Sequence, residues 1–511
     1  MKSTRLLSLI LAGTLLCTSL LGCAAPAEKP SEDTTAASTS ADSAPATEPT
    51  GEAKSITLLT YGDKNDRMNT FSETVQKYVK DHGLNITVDL QVLPWSDYAG
   101  GQTSLKLASG EEFACFTDTG YLATCISKGY LQDVTDAVEK YGPNLKKNID
   151  QVSFDAFSDQ GKLYAIPVGN KNNASEWYGA FEVRQDLLEE AGMKEIKTLE
   201  DIEQFYDACI KLHPDFVGSS IGSDTAKLFS RSVSDKNMLF LDNSYFMFTD
   251  ASTKDDKIYS YYESEEFKKT VEIATRWREK GLIDKTALSD LATLDSKFMA
   301  GQAMFRAGNA GRIWEDTEVL SSNAPNAKIK VYMTGADMPK ISRGNYSTAF
   351  SVSANAKNPE AYVEFFNLIY ENQESFDFFT YGEKGVDYDL DANDCITGQK
   401  TDGVFFQQWV TVHTDFMRFA PSISKEAIGE YKAWNDGAIP QKDIGFVFNS
   451  EPVKDIIAQL SGVYTEYCKP MLLGFSNYET DYPELLKRIK DAGGDAYIAE
   501  YQKQFSAFYN K

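Results

Sequence analysis

Between residues 55 and 92 the spacing of apolar positions changes twice. Ser55, Ile56, Thr57, Leu58, Leu59, Thr60 and Tyr61 form a mainly apolar run closed by Gly62 and Asp63, the pattern of a strand covered on both faces. Met68, Phe71, Val75, Tyr78 and Val79 then recur at helical spacing, and His82-Gly83 ends the pattern with a glycine suited to a helix C-terminus. Ile86, Val88, Leu90 and Val92 alternate, which predicts a second strand. Strand, helix and strand within about 40 residues form a βαβ unit, so the first lobe is expected to hold a parallel sheet with a right-handed crossover.

The same reading extends along the chain. A helix over 98–108 stops at Ser109-Gly110, and the short apolar segment 113–116 runs into Thr117, Asp118, Thr119 and Gly120. Residues 162–168 read as a strand with a proline near its end, and 177–183 as another apolar run followed by a helix over 184–191. Between them the polar stretch 169–173 is the expected first hinge crossing. Helices dominate at 199–212, 265–280 and 290–300, and a proline-initiated helix over 361–370 follows Asn358. The resulting plan is α/β with two lobes. Residues 55–168 begin lobe 1, 174–340 form lobe 2, 341–380 return to lobe 1, and 381–511 complete lobe 2 and the hinge as a helical region.

The amino terminus changes the picture of where such a body works. Lys2 and Arg5 precede an apolar run over 6–21, too short to span a bilayer, which predicts a secretory signal peptide over 1–22. Leu20, Leu21, Gly22 and Cys23 resemble the lipobox of bacterial lipoproteins, and that resemblance implies cleavage before Cys23, diacylglycerol on its sulfur and attachment to the cell membrane. Residues 24–54 lack large apolar side chains and are expected to be a disordered tether. A flexible coil of that length holds the body on the order of 30 Å from the bilayer. With 51 basic and 75 acidic residues the chain carries −24, and losing Lys2 and Arg5 takes it to −26, a field that disfavours nucleic acid.

Outside the signal and anchor, Cys115, Cys125, Cys209, Cys395 and Cys468 are odd in number and show no zinc spacing, so buried thiols are expected rather than a disulfide framework. Three histidines argue against a His-built metal centre, and no metal or other cofactor is expected. Serine-, cysteine- and zinc-hydrolase motifs are absent. A glycosidase would need two carboxylates held about 5–9 Å apart, and sequence places no such pair. An enzyme is therefore not expected.

The order of motifs is similar to the solute-binding proteins of the family that includes maltose-binding protein. Tyr61, Gly62, Asp63 and Lys64 follow the first strand, Leu107–Gly110 precede a short apolar strand and the Asp118 loop, and Gly129–Val134 and Gly161–Pro167 come next. Leu187–Gly192, Phe298–Met304 and Asn358–Ala361 continue the series, while the tail from Gly445 resembles a Gram-positive lipoprotein subgroup with a C-terminal domain of unknown function. The resemblance implies a two-lobe, type II periplasmic-binding-protein-like fold with the ligand at the lobe interface. It also implies a sugar or oligosaccharide as ligand, the membrane subunits of an ABC permease as partner, a monomer, and no catalytic residues. A lipoprotein feeding a membrane sensor and a surface glycoside hydrolase are the alternatives.

A sugar offers hydroxyls at its rim and C–H groups on its faces, so its site needs planar polar groups and aromatic platforms. Asp63 and Lys64 stand just past the carboxyl end of the first strand, where loop side chains face the crevice of an α/β sheet, and the matching pair in the family contacts sugar. A surface turn is the alternative for both. Tyr61 begins that loop and can stack. Asp118 and Tyr121 occupy the equivalent place after the segment ending at Phe116, with an Asx-turn as the alternative for Asp118. Trp177 lies beyond the hinge link, facing the cleft or packing on Phe181. The glycine-rich stretch from Arg306 offers Asn309 and Trp314, against a helix cap and a core ring, and lacks the ending of a phosphate loop. Trp409 and Trp434 are candidates for a second wall.

Overall fold

The computed structural model describes residues 52–62, 64–117, 119–222, 224–308, 310–335, 337–342, 348–400 and 403–510. The expected signal segment, Cys23 and most of the expected tether lie outside these residues.

Lys54–Tyr61 and Ile86–Leu93 pair in parallel across the helix Asp66–Asp81, as the βαβ pattern predicts. Asn65 caps that helix by accepting the Met68 N–H at 3.0 Å, and Met68, Phe71, Val75 and Val79 form its buried face. Ala114–Thr117 adds in parallel on the other edge of Lys54–Tyr61. The returning strand Ala349–Val352 then pairs antiparallel with it, and Ile166–Pro167 closes the five-stranded sheet. Leu58, Leu59, Ala114, Phe350 and Val352 are at most 0% exposed, so this sheet is covered on both faces by helices.

A second sheet holds Ile329–Met333, Ala180–Arg184, Ala303–Ala307 and Val217–Ser219 in that order. Phe181, Val183, Phe205, Trp277 and Phe305 pack around it. Beside it Met238–Phe240, Met247–Asp250 and Ile258–Ser260 form an antiparallel meander whose core is shared with the helices Lys454–Val463, Tyr478–Asp491 and Gly494–Tyr509. The molecule thus has two α/β lobes.

Three differences from the sequence reading stand out. The helix expected over 98–108 is a π turn at Tyr98–Gln102 followed by the α-helix Thr103–Ser109, because Gly101 takes φ +92° and breaks the regular ladder. The strand expected over 162–168 splits into Lys162–Leu163 and Ile166–Pro167. Residues 381–410 do not join lobe 2: Tyr381, Tyr388, Ile396, Phe405, Phe406 and Val410 are buried in the first core, which aromatic contacts such as Phe366–Phe406 hold together. Sequence had no means of telling which core a set of phenylalanines enters.

The chain passes between the cores in segments that bond to one another. Asn170 N–H donates to the Val412 carbonyl at 2.9 Å and its own carbonyl accepts from Thr414 at 2.8 Å. Ser175 N–H donates to Ile341 O at 2.8 Å, and Ile341–Ser342 pairs in parallel with Ile439–Pro440. Ser175 and Trp177 take φ +52° and +70°, a region costly for non-glycine residues, so some backbone strain is held where the lobes join.

Candidate functional site

The carboxyl end of the first lobe's sheet carries an aromatic wall assembled from three distant parts of the chain. Tyr61 stacks on Trp409 with ring centroids 4.9 Å apart and planes at 30°. Tyr98 packs on Tyr61 at 4.8 Å, and Phe116 meets Trp409 edge-on at 5.1 Å. Tyr61, Tyr98 and Trp409 remain half-buried, whereas Phe116 is in the core. Tyr98 also donates its hydroxyl to the Phe116 carbonyl.

Polar contacts hold the loop containing Trp409 against the loop after the first strand. Asn65 Nδ2 donates to Gly403 O at 3.2 Å, and Trp409 Nε1 donates to Gln407 Oε1 at 2.7 Å. Gly62 has φ +146°, a conformation that disfavours any side chain, and a Cβ there would lie 2.2 Å from Gln407 Oε1 and displace that amide. Arg67, next along the helix, donates Nε to Asp387 Oδ1 at 2.7 Å and Nη2 to Glu383 at 2.7 Å. Burial works against the Asp387 carboxylate, yet the Arg67 hydrogen bonds keep it below its ordinary range. Gln407, Tyr98 and Arg67 also belong to this assembly. No local signal marks them, since Arg67 meets Asp387 and Gln407 meets Gly62 across more than 300 residues of chain.

The remaining candidates divide by position. Lys64 is exposed just after the strand end. Trp177 is half-buried on the second lobe's hinge segment, packed against the core that contains Phe181, with its N–H on the Gly308 carbonyl at 3.0 Å. The glycine-rich loop closes on its own chain at Gly308, where a Cβ would meet the Ala180 backbone at 2.6 Å. Trp434 is a hinge residue: Nε1 donates to Ala174 O at 2.8 Å, and the Lys340 ammonium lies 4.0 Å from its ring centroid. Asp63, Asp118 and Asn309 lie outside the described residues, as do the side chains of Tyr121 and Trp314.

Two crevices border the hinge. One, of about 630 Å³, lies between Ile313, Ile329 and Val331 of lobe 2 and Phe419, Tyr431 and Trp434 of the hinge segment, and the Lys330–Glu430 ion pair, 2.9 Å, joins its sides. That segment is fastened to lobe 1, because Arg418 donates to Asp377 at 2.8 Å and His413 Nε2 to the Asn148 carbonyl at 2.6 Å. Burial lowers the His413 pKa and favours this neutral donor form. The other crevice, about 590 Å³, has Ala123 and Ala156 of lobe 1 on one side and Lys227 and Asp242 of lobe 2 on the other. Both volumes fall in the range of small-molecule sites. Among the described residues no group of three or more His, Cys, Asp or Glu is placed to hold a metal ion.

Residues 73–382 match the family of bacterial extracellular solute-binding proteins. The chain belongs to this family. Residues 443–510 of this solute-binding protein match a domain of unknown function, DUF3502. It is similar to a carbohydrate ABC transporter substrate-binding protein of Streptococcus pneumoniae serotype 4, with 25% identity over 467 residues, 90% of this chain and 91% of the other. Its fold resembles that of the N-glycan transport solute binding protein NgtS of Streptococcus pneumoniae (TM-score 0.73, 23% identity, 90% of this chain and 99% of that one). It also resembles an HMO-binding, ABC-transporter-associated solute-binding protein of Bifidobacterium longum infantis (TM-score 0.59, 13% identity, 90% and 100%). The two-lobe type II architecture is therefore that of the family.

Proposed function

We propose that this solute-binding protein is the carbohydrate receptor of an ABC importer, held at the outer face of the cell membrane by lipid on Cys23, and that it takes an oligosaccharide between its lobes. The stacked Tyr61–Trp409 pair at the carboxyl end of the first lobe's sheet carries this reading. A sugar ring can lie on such a platform through its C–H face while polar groups of the facing lobe bind its hydroxyls. The similarity to a carbohydrate ABC transporter substrate-binding protein, and the fold shared with glycan-binding relatives, support the same ligand class. Ligand that touches both lobes favours the closed state, and the closed surface is what the permease would recognise. The strongly acidic chain favours neutral over uronate-rich saccharides.

Titration of tryptophan fluorescence with neutral and acidic oligosaccharides tests the proposal. A neutral oligosaccharide is expected to bind, and Trp409→Ala to weaken it by about 2 kcal/mol, roughly thirtyfold. No response to any saccharide, with binding of peptides instead, would reject it. Membrane attachment is tested separately: Cys23→Ala should release the protein into the medium.

A further inference from the structure

The solute-binding family match ends at residue 382, and the module over 443–510 has no assigned role. Its helices complete the second lobe's meander core, yet its leading segment reaches the other lobe. At Gly445 an added Cβ would stand 3.2 Å from the Asp155 carbonyl and 3.7 Å from that of Ser158, both on the first lobe beside core residues Phe154 and Phe157. The 590 Å³ crevice opens beside this contact, with walls from lobe 1, lobe 2 and the module.

Its chemistry is mixed in a way that selects a ligand class. Asp242 Oδ1 accepts the N–H groups of Ser244 at 3.1 Å and Phe246 at 2.9 Å, which fixes its carboxyl at the wall beside Tyr497. Asn243 is exposed at the rim, and Lys227 stands over the rings of Tyr178 and Tyr245 at 5.7 and 5.6 Å. Half-buried Phe448, stacked on Tyr501 at 4.5 Å, adds an aromatic ring from the module. One cation against the carboxyls of Asp242 and Asp443 makes a poor phosphate site, and these polar groups disfavour a purely apolar ligand. The exposed Asn243 amide at the rim, the Lys227 ammonium and the aromatic carbon of Phe448 together suit a neutral polyhydroxylated ligand.

The helix Thr119–Ser127 connects this crevice to the aromatic wall. It follows Phe116, which contacts Trp409, and carries Ala123 and Thr124 into the crevice lining. The helix begins three residues after Phe116, so the crevice lining and the aromatic wall are joined by one short stretch of chain. We propose that the 443–510 module is part of the ligand trap, and that its crevice binds saccharide units beyond those lying on the Tyr61–Trp409 wall. This rests on the carbohydrate-receptor reading and assigns the module a role in setting ligand length.

Calorimetric titration with a homologous series from disaccharide to hexasaccharide tests the proposal on the unmodified chain and on two variants at exposed positions, Ser461→Trp and Asn243→Ala. Ser461 lines the crevice, so an indole there obstructs it, and Asn243→Ala removes a rim group without adding bulk. Should the indole prevent folding, Asn243→Ala still decides the matter. The expected result is a tenfold or greater loss for the longest ligands with Ser461→Trp, a severalfold loss with Asn243→Ala, and unchanged affinity for the shortest ligand that binds. Equal affinity of unmodified and variant chains at every length, or equal loss at every length, overturns the module's role and leaves the receptor reading standing. Failure of the unmodified chain to bind any oligosaccharide overturns both.

Discussion

Arg306 shows how one side chain organises the second lobe. Its guanidinium donates to Glu182 at 2.7 Å and to Asp295 at 3.1 Å, and also pairs with Asp316, while the Glu182 and Asp316 side chains are 0% and 1% exposed. Removing the cation leaves two buried carboxylates without it, so Arg306→Met is expected to cost about 3–5 kcal/mol, measured as a lower urea midpoint. Asp242 behaves in the opposite sense. Burial raises its carboxyl from 3.8 to about 7, opposed by the N–H groups of Phe246 and Ser244 and by Tyr497. The residue is half-exposed through its other atoms, but Oδ2 is inaccessible to solvent, so burial governs its charge. The folded chain retains this proton where the unfolded chain has lost it, so the contribution of Asp242 to stability falls as pH rises from about 4 to about 7 and stays low above that. The neighbouring Tyr497, Tyr501, Tyr262 and Cys468 are all raised by burial and do not titrate in that window. Asp242→Asn keeps an acceptor for both N–H groups, so it is expected to raise the melting temperature at pH 8, by on the order of 1–2 kcal/mol of stability, and to change it little at pH 4.

At the scale of elements, the hinge is a set of short segments held by side chains as much as by strand pairing. Ala174 N–H donates to Asn435 Oδ1 at 2.9 Å, and Asn172 Nδ2 donates to the carbonyls of Tyr431 and Lys432 at 2.9 and 2.7 Å. Trp434 adds its indole bond to Ala174 and its contact with Lys340, whose pKa burial lowers. Trp434→Phe retains a ring but loses the indole donor and most of the cation–π attraction, an expected cost of about 1–2 kcal/mol with an unchanged denaturant slope. A changed slope would show instead that the substitution alters how the lobes unfold together.

For the whole molecule, the proposed site is divided between parts of one folded chain, which links binding to stability. Ligand at 100 times its dissociation constant is expected to add about 2.7 kcal/mol to the stability of the unit it holds together, read as a rise in melting temperature that grows with the logarithm of ligand concentration. Trp409→Ala should flatten that dependence at a given concentration. The 443–510 helices share the second lobe's meander core through Leu460, Leu472, Leu485 and Phe505, so this module belongs to the same folded body.

Much of the architecture was legible in local pattern. Apolar period and glycine placement were enough to identify the first βαβ unit, the helices Leu199–Leu212 and Glu265–Lys280, and the returning helix Pro359–Ile369, because each buries one face set by its own spacing. Tyr61 and Trp409 could both be named from sequence, but their stacking depends on Asn65, Gly62 and Gln407 joining loops more than 330 residues apart. The assignment of 381–410 to the first core, the hydrogen-bonded hinge and the three-walled crevice likewise arise only when distant segments pack. Local sequence determines which face of an element is apolar; which other face covers it is decided by the packing of the whole chain, and that packing brings the candidate site together.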